Sequence, residues 1–472
     1  MIGPIVRKEI LENFLSLRFI LSLILVVIVF AISGFVFVRK YEQQVQDYSK
    51  DTNQSLAYFQ GHAERLYWIA TLSHRFYRKP KALTLCAEGF EKSIPNCFSF
   101  NAFSRDYPEI KGRTNALLSG FNDVDWVFII SLFLSFAALV LAYNSCCGEK
   151  ENGTLRLILA GSIPRHKVLL GKYLALMFMV GVPLLLGLLV NLIIATLSKD
   201  VAFARGEWVK FFSIIILSLL YLSVFVLLGM FISSRTSRSV SSMVILLFLW
   251  VGLVIVVPSS GRIVAKTLRK VPTQAEMNRR VTEMKEQWQK DLLAGKYGQN
   301  AGSTSPNPEE CNPPARARAY TALTEQNNKM IDEHMNQIID QVAIGRRFIR
   351  ISPTAIYRQA CETIAGTGIG RFSELRRQII RYQADLKDYI RSRDAEDPNS
   401  LHLLYDEMFT AQMWRTISHH PVDFDSVPKF QERDLGIGES LRLAIWDIGV
   451  LALFNLVFFA GAFVSFLRYD VR

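Results

Sequence analysis

The sequence predicts an all-α integral membrane protein: six transmembrane helices with two extracytoplasmic insertions, the larger one helical. Three observations carry this. Half of the 472 residues are hydrophobic (50%) and only 20% are charged, with a mean hydropathy of +0.20, a balance richer in apolar residues than an ordinary soluble domain carries. Six stretches run without Asp, Glu, Lys, Arg or His: Phe19 to Val38, Trp126 to Gly148, Tyr173 to Ser198, Phe211 to Ser234, Ser239 to Gly261 and Ile448 to Leu467. Each meets the roughly 20 residues that a helix rising about 1.5 Å per residue needs to cross about 30 Å of hydrocarbon. None alternates like the strand of about ten residues that a membrane barrel repeats.

Residues 1–18 form the first element. Pro4 can start a helix in which Ile5, Ile10, Leu11, Phe14 and Leu15 lie opposite Arg7, Lys8, Glu9 and Glu12, which suits a position in the interface plane. The first span, 19–38, is followed by Arg39, Lys40 and Tyr41 rather than by a small-residue cleavage site, so it is an anchor and not a removable signal. The first insertion, 39–125, predicts a helix after Tyr41 and a strand-like piece at Ala82 to Cys86. Within it Cys86 and Cys97 can close a disulfide loop of about a dozen residues in an oxidising compartment. Free thiols are the equal alternative, since spacing says nothing of sulfur separation. The second span, 126–148, ends in Cys146 and Cys147, which fit neither a zinc pattern nor CxxC and read as small apolar residues.

A turn at 149–172 leads to spans at 173–198, 211–234 and 239–261. The second insertion, 262–442, then precedes a last span at 446–467. In that insertion Thr273 and Glu276 have capping-box spacing, and Met277, Val281, Met284, Trp288 and Leu292 recur at helical intervals. Ala294 to Ala319 is rich in Gly, Ser, Asn and Pro, and Met330, Met335, Ile338 and Val342 follow, giving a helical hairpin with an exposed tip. Ser352 with Pro353 starts a short helix that Gly366 can end, and Leu375, Ile379, Tyr382, Leu386 and Ile390 stripe one more. These stripes are expected to pack on each other in one helical domain, with docking of another protein as the alternative.

Six spans put both termini on one side. The short segments there carry Arg7, Lys8, Arg18, Lys150, Arg156, Arg165, Lys167, Lys172, Arg235, Arg238, Arg468 and Arg472, which makes that side cytoplasmic by the positive-inside rule. The net charge of +12 is scattered rather than striped and finds its counter-charge in anionic head groups, so no nucleic-acid partner is expected.

Catalytic signatures are missing. Nothing fits the G-x-x-x-x-G-K-[ST] phosphate loop. Gly366, Gly368 and Gly370 have the wrong spacing for a dinucleotide loop and read as a helix end. There is no HExxH, and His419 with His420 reads as a surface pair, so no metal site is expected. The spans lack the embedded acids and bases of ion-driven carriers. Asp447 reads as hydrated at the end of the last span, and Asn144, Asn191 and Asn455 as packing residues that can bond between helices.

The informative stretch is GEKENGTLRLILAGSIPRHKVLLGKYLA, Gly148 to Ala175, a short apolar run broken by Gly161 and Pro164. Here the chain resembles the permease subunits of ATP-binding-cassette exporters of the type-2 permease class. Their turn reads approximately E-x-G-T-L-x-x-L-L-x-x-P-x-x-R and ends in G-K; this chain supplies Glu151, Gly153, Thr154, Leu155, Leu159, Pro164, Arg165, Gly171 and Lys172. It departs in one extra residue and in Pro164 standing directly before Arg165. KPKALTLCAEGFEKSIPN (Lys79 to Asn96) and ISPTAIYRQACETIAGTG (Ile351 to Gly368) resemble a bacterial subgroup with large extracytoplasmic insertions.

The resemblance implies a non-catalytic subunit of a bacterial inner-membrane exporter. A coupling helix over Glu151 to Arg165 would dock on one of two cytoplasmic ATPase subunits, which hold the ATP and Mg, leaving no cofactor in this chain. A second permease, identical or related, would complete the path, lined by the first, second and fifth spans. The alternative is a motor-coupled protein that relays ATP hydrolysis to an extracytoplasmic partner and transports nothing.

Overall fold

The computed structural model describes residues 2–62, 64–111, 124–155, 164–303, 312–405 and 413–468. A short helix, α1 (Ile2–Phe14), leads into α2 (Leu17–His62), then α3 (Leu66–Thr71) and two antiparallel strands, β1 (His74–Tyr77) and β2 (Cys97–Phe100). Next come α4 (Trp126–Glu151), α5 (Arg165–Thr196), α6 (Arg205–Arg235) and α7 (Ser239–Leu268). The helices α8 (Gln274–Leu293), α9 (Pro313–Phe348), α10 (Pro353–Ala365) and α11 (Ile369–Asp394) precede α12 (Ile437–Leu467). Helices α2, α4, α5, α6, α7 and α12 are long and apolar enough to cross a membrane, one for each predicted span.

In lipid the spans gain nothing from burying apolar surface, so close packing and internal hydrogen bonds must hold them. Helices α4 and α6 are central, with 67% of their most apolar windows buried, against 22% for α7 and 17% for α12, whose Phe248 and Leu456 face outward. Small residues set the approach: Gly187 of α5 lies under the Phe30 ring and Gly229 of α6 under Ala142, and a Cβ at either would overlap its neighbour. Asn191 works as expected of a bonding residue between helices. Its Nδ2 donates to the Phe30 carbonyl at 2.6 Å and its Oδ1 accepts from Trp126 Nε1 at 2.8 Å, joining three spans. Asn455 donates to the Leu220 carbonyl at 3.1 Å. A π-helical turn interrupts α4 at Ile130–Leu134 and α7 at Val251–Val256, and Trp250 Nε1 donates to Ser135 Oγ at 2.9 Å between them.

Both described chain ends lie beside the turns after α4 and α6 at one end of the bundle, called proximal here, and both insertions gather at the other, distal end. Helix α2 does not stop near residue 38 but continues as 46 residues of unbroken helix. The piece at Ala82 to Cys86 is not a strand: Ala82–Leu85 is a 3₁₀ turn, because the adjacent residues Ala82, Leu83, Leu85 and Cys86 all enter the core, which a strand with alternating faces cannot arrange. The paired strands lie to either side, with His74 opposite Phe100 and Tyr77 opposite Cys97. Cys86 and Cys97 are free, buried thiols in this structure rather than a bridge: Cys86 belongs to the cluster around the spans, while Cys97 is committed to the β2 pairing.

The predicted caps appear in the second insertion. Glu276 Oε2 accepts the Thr273 amide at 2.6 Å while Thr273 Oγ1 accepts the Glu276 amide at 3.3 Å, opening α8. Ser352 Oγ accepts the Ala355 amide at 3.2 Å to open α10, and Gly366, at φ +71°, ends it. Helix α10 sinks between spans: Tyr357 stacks on Tyr221 with centroids 4.4 Å apart and shares a 2.7 Å hydrogen bond with Ser218.

The stripe on α11 packs on that of α9 as expected, Leu375 and Ile379 sharing a cluster with Met335 and Ile338, but the two do not close a domain of their own. Leu386 and Ile390 pack on Leu66, Tyr67 and Ile69, and Leu375 and Ile379 on Phe98 and Phe100, so the two insertions fold as one distal unit. Asp447 is not left to water either: it is 5% exposed and paired with Arg350 Nη2 at 3.1 Å, because the segment entering α10 folds back on α12.

Candidate functional site

The site is built on the α4–α5 turn at the proximal end. Helix α4 ends in three charged residues, Glu149, Lys150 and Glu151, and consecutive residues near a helix end point in three directions. Each finds a different partner. Glu149 Oε1 accepts from Lys172 Nζ of α5 at 2.7 Å, and the same ammonium reaches Glu9 Oε1 of α1 at 2.6 Å. Lys172 is 2% exposed, so this is a buried cation between two carboxylates. Lys150 Nζ donates to the carbonyls of Ser234 and Thr236 at the end of α6, the latter at 3.1 Å. Glu151 Oε2 accepts from Ser239 Oγ at 2.7 Å and from the Ser239 amide at 3.2 Å, placing an anion on the N-terminus of α7, where the helix dipole favours it.

Ser233 Oγ adds a second tie to α6, accepting the amides of Cys146 and Cys147 at 3.0 Å each. On the far side of the turn Pro164, in extended conformation, caps α5, and Arg165 Nη1 donates to the Leu467 carbonyl at the end of α12 at 2.6 Å. The Arg18 guanidinium lies 5.0 Å from the centroid of the Tyr143 ring, binding the start of α2 to α4. Every span thus reaches the turn within a few bonds.

Of the residues singled out from the motif, Glu151, Leu155 and Arg165 are drawn into this patch, Leu155 fully buried. Gly153, at φ +72° with open space around it, turns the chain off α4; a side chain there would be strained though not crowded. Thr154 and Pro164 are exposed. Leu159, with the rest of 156–163, lies outside the described residues. Glu9, Glu149 and Lys150 were missed in the sequence. Glu9 belongs by periodicity to the polar face of α1, yet it is 8% exposed and turned toward Lys172. The one available signal is Lys172 itself, a lone cation leading into an apolar run that needs a partner if buried.

Among the described residues no group of three or more His, Cys, Asp or Glu is placed to hold a metal. The bonds of the charged groups tie the turn to α1, α5, α6, α7 and α12. A family model described as "ABC-2 family transporter protein" matches residues 4–471. No curated protein matches the chain.

Proposed function

The chain belongs to the ABC-2 transporter family, and on that premise we propose that it is the membrane permease subunit of an exporter driven by a separate ATPase. The observation that carries this is the turn whose three consecutive charges clamp three different elements. A soluble motor can do work on a bundle only through a rigid handle, and bistable helix packing converts such a push into alternating access. In this reading the turn faces the cytoplasm of a bacterial inner membrane, with both termini on that side and the distal unit outside.

The exposed Thr154 and Pro164, with Leu159, meet the ATPase, which supplies ATP and Mg; Glu151, Leu155 and Arg165 pass the stroke to the spans. A second permease completes a route along α2, α4 and α7. A cysteine introduced at Thr154 tests this: it is expected to cross-link to a co-purifying ATPase and to resist impermeant maleimide in intact cells. Labelling of that cysteine from outside, or purification in mild detergent without any ATPase, would overturn the reading.

A second reading, relay of the stroke to an outer partner without transport, draws support from the distal charges. Arg371 joins Glu91 of the first insertion (2.7 Å) to Glu432 of the segment entering α12 (2.8 Å), so motion of the last span reaches the distal unit directly.

A further inference from the structure

A cleft of about 440 Å³ opens between α2 and the chain that follows β1. Helix α2 forms one wall, with Ser33, Phe37 and Tyr41 at the foot and Asp47 and Asp51 above them on the same face. The facing wall carries Lys79, Lys92 and Lys111. The foot straddles the end of the apolar stretch 19–38, with Ser33 and Phe37 inside it and Tyr41 just beyond, and the upper walls lie past it, so the cleft reaches from the edge of the hydrocarbon level into the head-group level. Its volume is that of a small-molecule site.

Most of its charges already have partners. Lys40 and Lys92 share Glu88, Arg78 holds Glu91 at 2.7 Å, and Lys81 holds Asp434 at 2.6 Å. Asp125, beside the foot, has both carboxylate oxygens taken by the Glu88 and Phe128 amides at 2.7 Å each. Left over are Asp47 and Asp51 on α2, and Lys79 and Lys111 opposite. None of these four has an ion-pair partner among the described residues, although Lys111 lies 5.8 Å from the centroid of the Tyr77 ring. The two walls therefore have opposite unspent charge across a gap, above an apolar foot.

We propose that this cleft binds an aminophospholipid of the adjoining leaflet, with phosphate toward Lys79 and Lys111, ammonium toward Asp47 and Asp51, and acyl chains leaving past Val36 and Phe37. An anionic lipid without an amine meets the carboxylate wall unpaired, and a cationic amphiphile meets the lysines. A water-soluble zwitterion has no use for the apolar foot. Binding of this kind needs neither ATP nor a partner, so it stands or falls apart from the transport reading.

The test is native mass spectrometry of the full-length chain in detergent, titrated with phosphatidylethanolamine, phosphatidylglycerol or diacylglycerol. Phosphatidylethanolamine is expected to bind best and diacylglycerol least. The Lys79→Gln/Lys111→Gln variant should weaken both phospholipids by about threefold or more, in line with exposed charge contacts. Asp47→Asn/Asp51→Asn should weaken phosphatidylethanolamine while strengthening phosphatidylglycerol, a gain that a misfolded protein cannot show. Equal or stronger binding of phosphatidylglycerol by the native chain, or indifference of both variants to lipid type, would overturn the proposal.

Discussion

Each end of the molecule buries one cation between two carboxylates, and the two are built differently. At the proximal end Lys172 holds Glu9 and Glu149. At the distal end Arg371 places Nε and Nη2 on Glu432 at 2.9 and 2.8 Å, Nη1 on Glu91 at 2.7 Å, and Nη2 also on the Lys79 carbonyl at 3.0 Å. Arg78 takes the other oxygen of Glu91 at 2.7 Å. A guanidinium is a planar fork that serves several acceptors at fixed angles, whereas an ammonium is a point charge. The distal network is therefore redundant. The proximal one hangs on a single nitrogen.

Lys172→Met is the sharpest way to break this contrast. It leaves two buried carboxylates facing each other and is expected to cost about 3–5 kcal/mol, read as a lowered thermal midpoint of the purified protein in detergent. Arg371→Met is expected to cost less, because Glu91 keeps Arg78; an equal or larger loss would show that the distal network has no redundancy.

A smaller effect should distinguish the ends by pH. His74 of β1 has its ring centroid 3.8 Å from that of Phe59, and burial pulls its pKa down to about 4, against the opposing hydrogen bond to the Ile69 carbonyl. The unfolded chain takes up that proton near the ordinary value of about 6.5, so the neutral ring costs nothing above it and increasingly favours unfolding as pH falls toward 4. Between pH 7.5 and pH 5 the loss attributable to this group is about 2 kcal/mol. His74→Phe should remove that part of the pH dependence, visible as the difference between the two melting curves. If the curves stay parallel, the distal unit is not anchored at this ring.

Glu151→Gln should change stability least, since the Glu151 carboxylate is solvent-exposed at the start of α7. Its expected signature is functional: an unchanged melting curve with weaker stimulation of the co-purified ATPase. A shifted melting curve would place Glu151 with Lys172 among the structural charges.

The capping pattern at Thr273 and Glu276 was legible because both residues act within one turn, and Ser352 with Gly366 likewise marked both ends of α10. The strand-like reading of Ala82 to Cys86 failed because consecutive apolar residues do not distinguish a strand from a tight turn buried on all sides. Glu9 was misplaced because amphipathic periodicity assigns a residue to a face but cannot know that a neighbouring helix supplies an ammonium there. The family resemblance pointed to Glu151 and Arg165, yet what they hold, Ser239 and the Leu467 carbonyl, was not legible in the sequence.

The number and order of the candidate spans follow from the sequence alone, because a helix in lipid must satisfy its backbone internally and so needs an uninterrupted apolar run of a minimum length. Which charges are buried together was decided only by the tertiary structure. Lys172 meets Glu9 across 163 residues and Arg371 meets Glu91 across 280. Local periodicity carries no information over such separations; the path of the packed chain does.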